Sequence, residues 1–436
     1  MTPRPPAPPD EVTVIGPRPL RGRLRVPGDK SISHRALLFG ALAHGESTFT
    51  HLATGDDVGA TARALAALGV DVRTRDRATV VHGRGIESWT EPDTVLDCAN
   101  SGTTLRLLCG ALAGRPFLSV LSGDDSLRTR PMGRVVEPLR AMGARIDGRR
   151  EGTLAPVVVR GARLRGMRHE LAVASAQVKS ALVLAGLQAE GATEIVSPAP
   201  TRDHTERMLA ALGVPIVADA TRVEVRAGAP RPFELEVPGD PSSAAFFAVG
   251  AAITEGSDLV IESVSCNPTR TGFVEVLRRM GADVALDATG TVCGEPVGTL
   301  RIRASRLTGT TIEGAEIANL IDEIPALAVA AAFAEGVTEI RDAAELVVKE
   351  SNRIATLHAE LVALGAGVEA RADGLVVRGG SLRAAELHSH GDHRIAMAMA
   401  IAANALRGSS TVCGFGAVAS SYPEFATDLD RIAGAP

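Results

Sequence analysis

Residues 28–35, with the sequence GDKSISHR, combine small residues and cations just ahead of a predicted apolar helix. Backbone N–H groups at a helix start carry partial positive charge and favour anions. Lys30, Ser31 and Arg35 could therefore bind a phosphate or carboxylate, and Ser31 or Ser33 could cap the helix or lie in its first turn. An ordinary capped helix with solvated charges is the alternative. The GxxxxGK[ST] pattern of a P-loop is absent.

A second copy of this segment lacks the charges. Residues 237–256 (VPGDPSSAAFFAVGAAITEG) are similar to residues 26–45 (VPGDKSISHRALLFGALAHG). The second copy has Pro241 in place of the lysine and Phe246 in place of the arginine. The apolar framework is kept where the charge is lost, which favours a binding role for the charges of the first copy.

Polar segments of the same kind recur along the first half of the chain. NSGTT (100–104) and SAQVK (175–179) precede or open apolar helices, and Arg130 precedes Pro131 at a loop-to-helix junction. Small residues let a ligand approach a helix start closely, and a guanidinium can pair with an oxyanion. Capped helices are the alternative at each of these positions. TRDHTER (201–207) indicates a turn that carries an arginine and a histidine.

Carboxylates with acid–base potential lie in the second half of the chain. Asp322 and Glu323 precede a nearly all-apolar helix, where a carboxylate is either a helix cap, the commoner role, or a positioned base. The segment 346–354 (LVVKESNRI) contains Lys349 and Arg353, which would share one helix face at i,i+4. Two like charges there repel each other unless an anion lies between them.

The segment SHGDHRIAMAMAI opens a further apolar helix with Asp392, His393 and Arg394. Together with His388 and His390 it suggests a metal site. The spacing matches no strong zinc pattern, so we predict no bound metal.

Composition favours a soluble α/β enzyme over a nucleic-acid-binding protein. The chain has 436 residues, 45% of them hydrophobic and 22% charged, which predicts two or three packed domains. The net charge is −5 and aromatic residues make up 3%, so neither a basic stripe nor base stacking is indicated. Small anionic ligands fit the scattered cations better than a polymer does.

The five cysteines predict a cytoplasmic protein with reduced thiols, because their number is odd and no CxxC pair occurs. The N-terminus has no apolar region typical of a secretory signal, and no apolar run is long enough to span a bilayer. Residues 1–10 are interpreted as a Pro-rich disordered tail.

Two glycine-terminated helix patterns alternate along the chain and predict six repeats. The first pattern, LxxL/MG followed by a strand, predicts a positive φ at its glycine. These glycines are Gly69, Gly143, Gly213, Gly281, Gly365 and a degenerate Gly434. The second pattern ends at Gly45, Gly114, Gly191, Gly256, Gly336 and Gly408. The repeat is helix–strand–helix–strands, with chance similarity between Ala-rich helices as the alternative.

The repeats also predict a discontinuous domain. The sixth copy ends without its strands, and the strand-like residues 12–26 are expected to complete it. The chain would cross between domains near Pro27 and near Pro238. One domain would contain residues 11–27 and 239–436, and the other residues 28–238. We expect the pseudo-symmetry to gather helix starts around one highly anionic set of ligands.

Taken together, eight motifs resemble the 5-enolpyruvylshikimate-3-phosphate synthase family. They are GDKSISHR, NSGTTLR, RPMGR, SAQVKSA, TRDHTE, IDEIPALAVAAAFAEG, VKESNRI and DHRIAMA, in the family's order from about residue 22 onward. The resemblance implies a two-domain α/β enolpyruvyl transferase-like fold. That fold has six βαβαββ repeats, three per domain, with helix N-termini facing an interdomain cleft.

The resemblance also implies a reaction. The enolpyruvyl (1-carboxyvinyl) group of phosphoenolpyruvate would move to the 5-hydroxyl of shikimate 3-phosphate, releasing phosphate, on the shikimate pathway to chorismate and the aromatic amino acids. No metal or organic cofactor, no nucleic acid and no membrane partner is implied, and a cytoplasmic monomer with domain closure is expected.

Site residues follow from the matched motif positions. The resemblance implies Asp322, Glu350 and Lys30 as catalytic residues. The shikimate 3-phosphate site would comprise Lys30, Ser31, Arg35, Ser175, Gln177, Arg202, Asp322 and Lys349. The phosphoenolpyruvate site would comprise Lys30, Gly102, Arg130, Gln177, Arg353 and Arg394. The chain departs from common family patterns at Ala176, Glu345 and Ser420, which affects individual contacts rather than the reaction.

Two rival functions remain at this stage. The related UDP-N-acetylglucosamine enolpyruvyl transferase would share the fold and the pyruvyl donor but not the Ser–Arg pattern of residues 28–35. A non-catalytic anion-binding or nucleic-acid-binding protein is disfavoured by the pair Asp322 and Glu350 and by the acidic net charge.

Overall fold

The computed structural model describes residues 7–434 of the chain. Residues 1–6 of the proposed Pro-rich tail lie outside that range, and the first strand begins at Glu11. Across the described residues, every helix is too short or too polar to cross a membrane.

The described residues form an α/β structure with 23 strands and 13 helices. The strands are β1 Glu11–Gly16, β2 Arg21–Leu24, β3 His44–Thr50, β4 Asp71–Arg75, β5 Ala78–Arg84, β6 Leu96–Asp97, β7 Leu118–Ser122, β8 Arg145–Arg149, β9 Leu154–Arg160, β10 Arg168–Glu170, β11 Ala192–Val196, β12 Ile216–Ala218, β13 Arg222–Arg226, β14 Glu234–Glu236, β15 Asp258–Ser265, β16 Asp283–Val292, β17 Glu295–Arg303, β18 Thr311–Ile312, β19 Val337–Ile340, β20 Gly367–Arg371, β21 Gly374–Arg378, β22 Glu386–His388 and β23 Gly408–Cys413.

The helices are α1 Lys30–Leu42, α2 Asp56–Ala67, α3 Gly102–Leu112, α4 Gly133–Ala141, α5 Ala176–Gly186, α6 His204–Ala211, α7 Pro241–Ile253, α8 Gly272–Arg279, α9 Ile317–Leu320, α10 Ile324–Phe333, α11 Arg353–Ala363, α12 His393–Ala405 and α13 Phe425–Ala433. Short 3-10 helices lie at Ile86–Ser88, Leu127–Thr129, Gly314–Glu316, Ala344–Val348 and Phe415–Ser420.

The chain folds into two compact units. Unit 1 contains Gly28–Val237 together with Thr291–Glu295. Unit 2 contains residues 7–27, Pro238–Gly290 and residues 296–434. These units differ from the expected domain division chiefly at Thr291–Glu295, the tip of the hairpin formed by β16 and β17. The division into folding domains stays a prediction.

Unit 1 is built from three four-stranded sheets. Their strand orders are β14-β3-β5-β4, β6-β7-β9-β8 and β10-β11-β13-β12. In each sheet the first two strands run parallel and the remaining neighbours antiparallel. In the second and third of these sheets a helix, α3 or α5, connects the two parallel strands, so each of these sheets belongs to one βαβαββ repeat, as the glycine patterns predict.

Unit 2 has two four-stranded sheets of the same kind and one three-stranded sheet. Their orders are β16-β17-β15-β2, β18-β19-β21-β20 and β1-β23-β22. The three-stranded sheet belongs to the sixth repeat, where β1 from the start of the chain pairs antiparallel with β23. The prediction that the N-terminal segment completes the last repeat is confirmed for β1. The sixth repeat nevertheless has one strand fewer than the others.

The same prediction is wrong for the rest of residues 12–26. Strand β2 pairs in parallel with β15, so it opens the fourth repeat and not the sixth. Strand β14 pairs in parallel with β3 and opens the first repeat. The strand that leads into α1 and the strand that leads into α7 are therefore exchanged between the two units. Sequence similarity between the copies could not show this, because β2 and β14 occupy equivalent positions.

Each unit is centred on helices that are buried on all sides. In unit 2, α7, α10 and α12 pack against one another, and each is almost wholly apolar, as expected for a helix without a solvent face. In unit 1, α3 packs closely on α5, where a Cβ at Gly110 would lie 2.1 Å from the Ala181 carbonyl oxygen.

The first glycine pattern ends its helices as predicted. Gly69, Gly143, Gly213, Gly281 and Gly365 all have positive φ, between 83° and 109°. Side chains with a Cβ rarely adopt this conformation, which explains the glycine at the same point of each repeat.

Candidate active site

Helix α1 carries the residues from which the binding hypothesis started. It begins at Lys30, six residues earlier than the predicted apolar helix, and is capped by Asp29, whose Oδ1 accepts a hydrogen bond from the Ile32 N–H at 2.9 Å. Of the two predicted roles, cap or first-turn residue, the second is confirmed for Ser31 and Ser33. Ser31 lies in the first turn, and the Ser33 hydroxyl accepts from the Ala53 N–H at 2.9 Å.

Lys30 pairs with a carboxylate that the sequence had not indicated. Its Nζ lies 2.9 Å from Asp57 Oδ2, and the side chains of both residues are largely buried. Asp57 is in the first turn of α2, where a carboxylate is stabilised by the helix dipole. The pair fixes the lysine beside the start of α1.

Arg35 is held by neutral partners. Its side chain is buried and donates to Thr205 Oγ1 at 2.7 Å, to Ser180 Oγ at 2.8 Å and to the Ser31 carbonyl at 2.9 Å. Burial lowers the pKa of Arg35 to about 10, against the opposing charge of Glu206. These contacts with described residues use three of the five guanidinium N–H groups, which leaves two that could meet a ligand.

Arg202 lies in the loop just before α6, and its positive charge also lowers the pKa of Arg35. The adjacent His204 is buried against Glu295, with His204 Nδ1 2.8 Å from Glu295 Oε1. Glu295 comes from the hairpin tip that belongs to unit 1. Its distance along the chain explains why the motif around His204 gave no sign of it.

Gln177 connects two helix starts. Its Oε1 accepts from Arg106 Nη1 at 2.5 Å, and its Nε2 donates to Thr103 Oγ1 at 2.9 Å. Ser175 is the N-cap of α5 and accepts from the Val178 N–H at 3.4 Å. The predicted residues Ser175 and Gln177 thus stand at a helix start, and Gln177 is oriented by an arginine of α3.

Gly102 and Arg130 lie together beside Arg106. Arg130 Nη2 donates to Asn100 Oδ1 at 2.5 Å. A Cβ at Gly102 would lie 2.6 Å from Arg106 Nη1 and 3.4 Å from Arg130 Nη1. The glycine therefore leaves room for two guanidinium groups at the start of α3, an arrangement suited to a small dianion.

Asp322 is the centre of the cluster in unit 2. Its Oδ1 lies 3.4 Å from both Lys349 Nζ and Arg353 Nη1. Arg394 Nη2 lies 3.8 Å from Oδ2, and Arg394 Nη1 donates to the Asp322 carbonyl at 3.1 Å. The N-cap position of α10 is taken by Glu323, so the interpretation of Asp322 as a helix cap is wrong.

The expected shared helix face of Lys349 and Arg353 is also wrong. Lys349 follows a 3-10 helix, and Arg353 is the first residue of α11. The anion required between the two charges is nevertheless present as the carboxylate of Asp322.

Arg353 is fully buried among carboxylates. It pairs with Asp392 through Nε at 2.8 Å and with Glu350 through Nη2 at 2.5 Å. Burial lowers the pKa of Arg353, but the charges of Asp392, Glu350 and Asp322 outweigh it and raise that pKa above its usual value. Although burial opposes it, the arginine holds the pKa of Asp392 below its usual range.

One other group brings possible metal ligands together. Glu386, His388 and Cys413 have ligand atoms within 4.8 Å of one another on the sheet of β22 and β23. Glu386 and His388 are exposed and lie 3.6 Å apart as a pair, so we assign no metal to this group.

Comparisons with known proteins identify the fold and the family. The structure superposes on EPSP synthase from Acinetobacter baumannii with a TM-score of 0.86 and 41% identity, covering 97% of this chain and 98% of that one. The enolpyruvyl transferase NikO from Streptomyces tendae, at 18% identity, has the same fold, with a TM-score of 0.78 and coverage of 98% of both chains. The fold class predicted from the sequence is thereby confirmed.

Sequence comparison identifies the family within this fold. The family model EPSP synthase (3-phosphoshikimate 1-carboxyvinyltransferase) matches residues 14–429. A 3-phosphoshikimate 1-carboxyvinyltransferase of Chloroflexus aurantiacus is 54% identical over 421 residues, which is 95% of this chain and 97% of that protein. One of Desulforudis audaxviator is 52% identical, with the same coverage. This chain belongs to the EPSP synthase family.

Proposed function

We propose that this chain transfers the enolpyruvyl group from phosphoenolpyruvate to the 5-hydroxyl of shikimate 3-phosphate and releases phosphate. The observation that carries the proposal is the Asp322 carboxylate, which Lys349, Arg353 and Arg394 surround in unit 2. A carboxylate held in place by cations is suited to accept a proton from a substrate hydroxyl, because its orientation is set before the substrate binds.

Unit 1 supplies most of the groups that we assign to binding shikimate 3-phosphate. The substrates together carry two phosphates and two carboxylates, so several cations are needed to offset their charge. Lys30, Ser31, Arg35, Ser175, Gln177 and Arg202 are proposed to bind shikimate 3-phosphate, together with Asp322 and Lys349 of unit 2. The neutral partners of Arg35 support this assignment, because they leave its charge uncompensated by a direct carboxylate contact.

Phosphoenolpyruvate is assigned to the guanidinium groups and their neighbours. Gly102, Arg130 and Gln177 of unit 1, Arg353 and Arg394 of unit 2, and Lys30 are proposed to contact it. The crowding of two guanidinium groups over Gly102 supports this assignment.

The reaction moves two protons in two steps. In the addition step, Asp322 takes the proton of the 5-hydroxyl, the oxygen bonds to the substituted enol carbon, and Glu350 delivers a proton to the methylene carbon. In the elimination step, Glu350 removes a proton from the resulting methyl group, and the double bond re-forms as the C–O bond to phosphate breaks. The leaving phosphate carries away the proton that Asp322 took, so both carboxylates return to their starting protonation states. The contact of Arg353 with both Glu350 and Asp322 supports the pairing of these roles. Lys30 is proposed to stabilise the negative charge of the substrates during transfer.

We further propose that the enzyme acts as a cytoplasmic monomer on these small molecules. The matched family supports the choice of substrates. The cytoplasm and the monomeric state remain predictions from the sequence.

The proposal is tested by measuring phosphate release from phosphoenolpyruvate with shikimate 3-phosphate and, in parallel, with UDP-N-acetylglucosamine. We expect release with shikimate 3-phosphate and none above background with the UDP-sugar. Release with the UDP-sugar alone would favour the rival transferase, and release with neither acceptor would contradict both assignments.

A further inference from the structure

A buried polar network lies beside Asp322 in unit 2. The Ser242 hydroxyl, in the first turn of α7, donates to Glu323 Oε1 and accepts from Arg270 Nη2 at 2.9 Å. Arg270 Nη2 also lies 3.1 Å from Asp240 Oδ1. The exposed fractions are 1% for Arg270, 3% for Ser242 and 0% for Glu323. Buried charge is costly unless paired, so this network needs a structural or functional reason.

The network occupies the charge-poor copy of the α1 helix start. Asp240 caps α7 by accepting from the Ser242 N–H at 2.7 Å, as Asp29 caps α1. Where α1 continues with Lys30, α7 has Pro241, and the next serine turns its hydroxyl to protein groups. The second copy has therefore kept the capping aspartate and the serine, and the serine hydroxyl hydrogen-bonds to protein side chains.

The partner of that serine is the immediate neighbour of the proposed base. Glu323 follows Asp322 at the turn between α9 and α10, where the Glu323 N–H donates to the Leu320 carbonyl at 2.9 Å. Helix α8, which begins two residues after Arg270, packs on α9 just before that turn, and a Cβ at Gly272 would lie 3.4 Å from both Asn319 Cβ and Leu320 Cδ2. Ser242 and the start of α8 thus both contact the segment around Asp322, at Glu323 and at residues 319–320 respectively.

We propose that Arg270 and Ser242 are positioning residues that hold Asp322 in its reactive orientation through Glu323. Arg270 supplies the charge that offsets two buried carboxylates, Asp240 and Glu323, and Ser242 connects it to Glu323. The second Glu323 oxygen, Oε2, is buried without a hydrogen-bond partner among the described residues, so its Oε1 contact with Ser242 is the one that fixes the side chain. This inference rests on the proposed role of Asp322.

The test compares Ser242→Ala with Ser242→Thr and with Ser243→Ala. Ser243 is also buried in the first turn of α7 and lies outside the network, so it controls for the loss of a hydroxyl there. We expect Ser242→Ala to lower kcat about 10- to 100-fold, the size of effect that a misplaced reactive group produces, with the KM of both substrates within about twofold. Ser242→Thr should recover most of the loss, and Ser243→Ala should match the wild type.

A double-mutant cycle separates positioning from general stability. If Ser242 acts through Asp322, then Ser242→Ala added to Asp322→Asn should lower the residual rate less than about twofold further. Arg270→Lys, which keeps the charge but loses the planar fork, gives the same split of kcat and KM if Ser242→Ala does not fold. Thermal melting of each variant shows whether it is folded.

Equal fractional losses in the wild-type and Asp322→Asn backgrounds would overturn the positioning role, and so would a rise in KM at constant kcat. These outcomes require a wild type that releases phosphate with shikimate 3-phosphate. An inactive wild type would instead overturn the proposed function, and this inference with it.

Discussion

Two buried arginines of the candidate site, one in each unit, differ in what they contact. In unit 1, Arg35 donates to two hydroxyls and a carbonyl. In unit 2, Arg353 is surrounded by carboxylates. Neutral partners orient the guanidinium of Arg35 without offsetting its charge, whereas the carboxylates around Arg353 are themselves positioned by that arginine.

The same repeat fold is therefore suited to two kinds of chemistry in the two units. The helix starts of unit 1 are suited to bind anions, and those of unit 2 are suited to hold carboxylates that exchange protons. The equivalent helices α1 and α7 show the divergence most directly. Each is capped by an aspartate, but the first helical residue is Lys30 in α1 and Pro241 in α7.

The largest effect is expected from the carboxylate of unit 2. Asp322→Asn should lower kcat by about 10²- to 10⁴-fold, the usual contribution of a general base, with little change in KM. Steady-state phosphate release measures both constants. Asp287→Asn is the control, since Asp287 is exposed and its pair with Arg301, 3.8 Å apart, contributes little. A loss confined to KM would contradict the role of Asp322 as the base and leave it a binding role alone.

The stability of the two units should respond differently to loss of an arginine. Arg353→Met leaves Asp392 and Glu350 without their buried cation and should lower the free energy of unfolding by about 3–5 kcal/mol. Arg35→Met removes three hydrogen bonds to neutral groups, and the Ser180 and Thr205 hydroxyls still bond to each other at 2.7 Å, so the loss should be smaller, about 1–3 kcal/mol. Urea unfolding followed by circular dichroism gives both values. A larger loss for Arg35→Met would contradict the comparison.

A small change in unit 1 should affect binding more than turnover. Gly102→Ala would place a methyl group 2.6 Å from the flexible end of Arg106, so this guanidinium must move. We expect the KM for phosphoenolpyruvate to rise about tenfold with kcat changed less. Gly290→Ala is the control, since a Cβ there meets nothing within 4 Å. A fall in kcat at constant KM would move Gly102 out of the binding group.

The smallest effect concerns pH. Burial, aided by the charges of Lys30 and Arg35, holds the pKa of His34 well below its usual value, so the folded protein keeps this ring neutral. The unfolded chain takes up a proton below about pH 6.5. The stability that neutral His34 contributes is therefore present above that pH and falls below it, by up to about 1.4 kcal/mol per pH unit.

Asp392 in unit 2 affects stability in a lower pH range than His34 does. Its pKa is lowered, so its contribution to stability is present above about pH 4 and is lost only as the pH falls further.

Urea unfolding of His34→Gln between pH 7 and 5 should show a free energy of unfolding that depends less steeply on pH than that of the wild type. An unchanged slope would contradict the buried neutral histidine.

Much of the fold could be predicted because each repeat has the same local sequence features. A helix that must end in a positive φ selects glycine in each copy, and a helix buried on all sides is apolar throughout, so both features are visible in one sequence. The exchange of β2 and β14 could not be predicted. The two strands precede equivalent helices, and strand pairing over such distances leaves no local pattern.

The candidate site was predictable in its residue types but not in its pairings. Lys30 and Arg353 stood out by their motifs, whereas Asp57 and Glu295 lie in segments without one. The sequence did not single out Asp29 as the cap of α1, because Asp29, Ser31 and Ser33 are all good capping residues. The true cap is decided by where the backbone turns into the helix, which composition does not specify.

The difference proposed between two residues of the site is that Lys30 of unit 1 binds the anionic acceptor through its charge, whereas Asp322 of unit 2, although it contacts the acceptor, acts chiefly in proton transfer. Calorimetric titration of shikimate 3-phosphate into Lys30→Met and Asp322→Asn tests it directly. Loss of a charge-assisted contact should weaken binding to Lys30→Met about 10- to 100-fold, while Asp322→Asn should stay within about threefold of the wild type. Binding that weakens equally in both variants, or more in Asp322→Asn, would contradict the account.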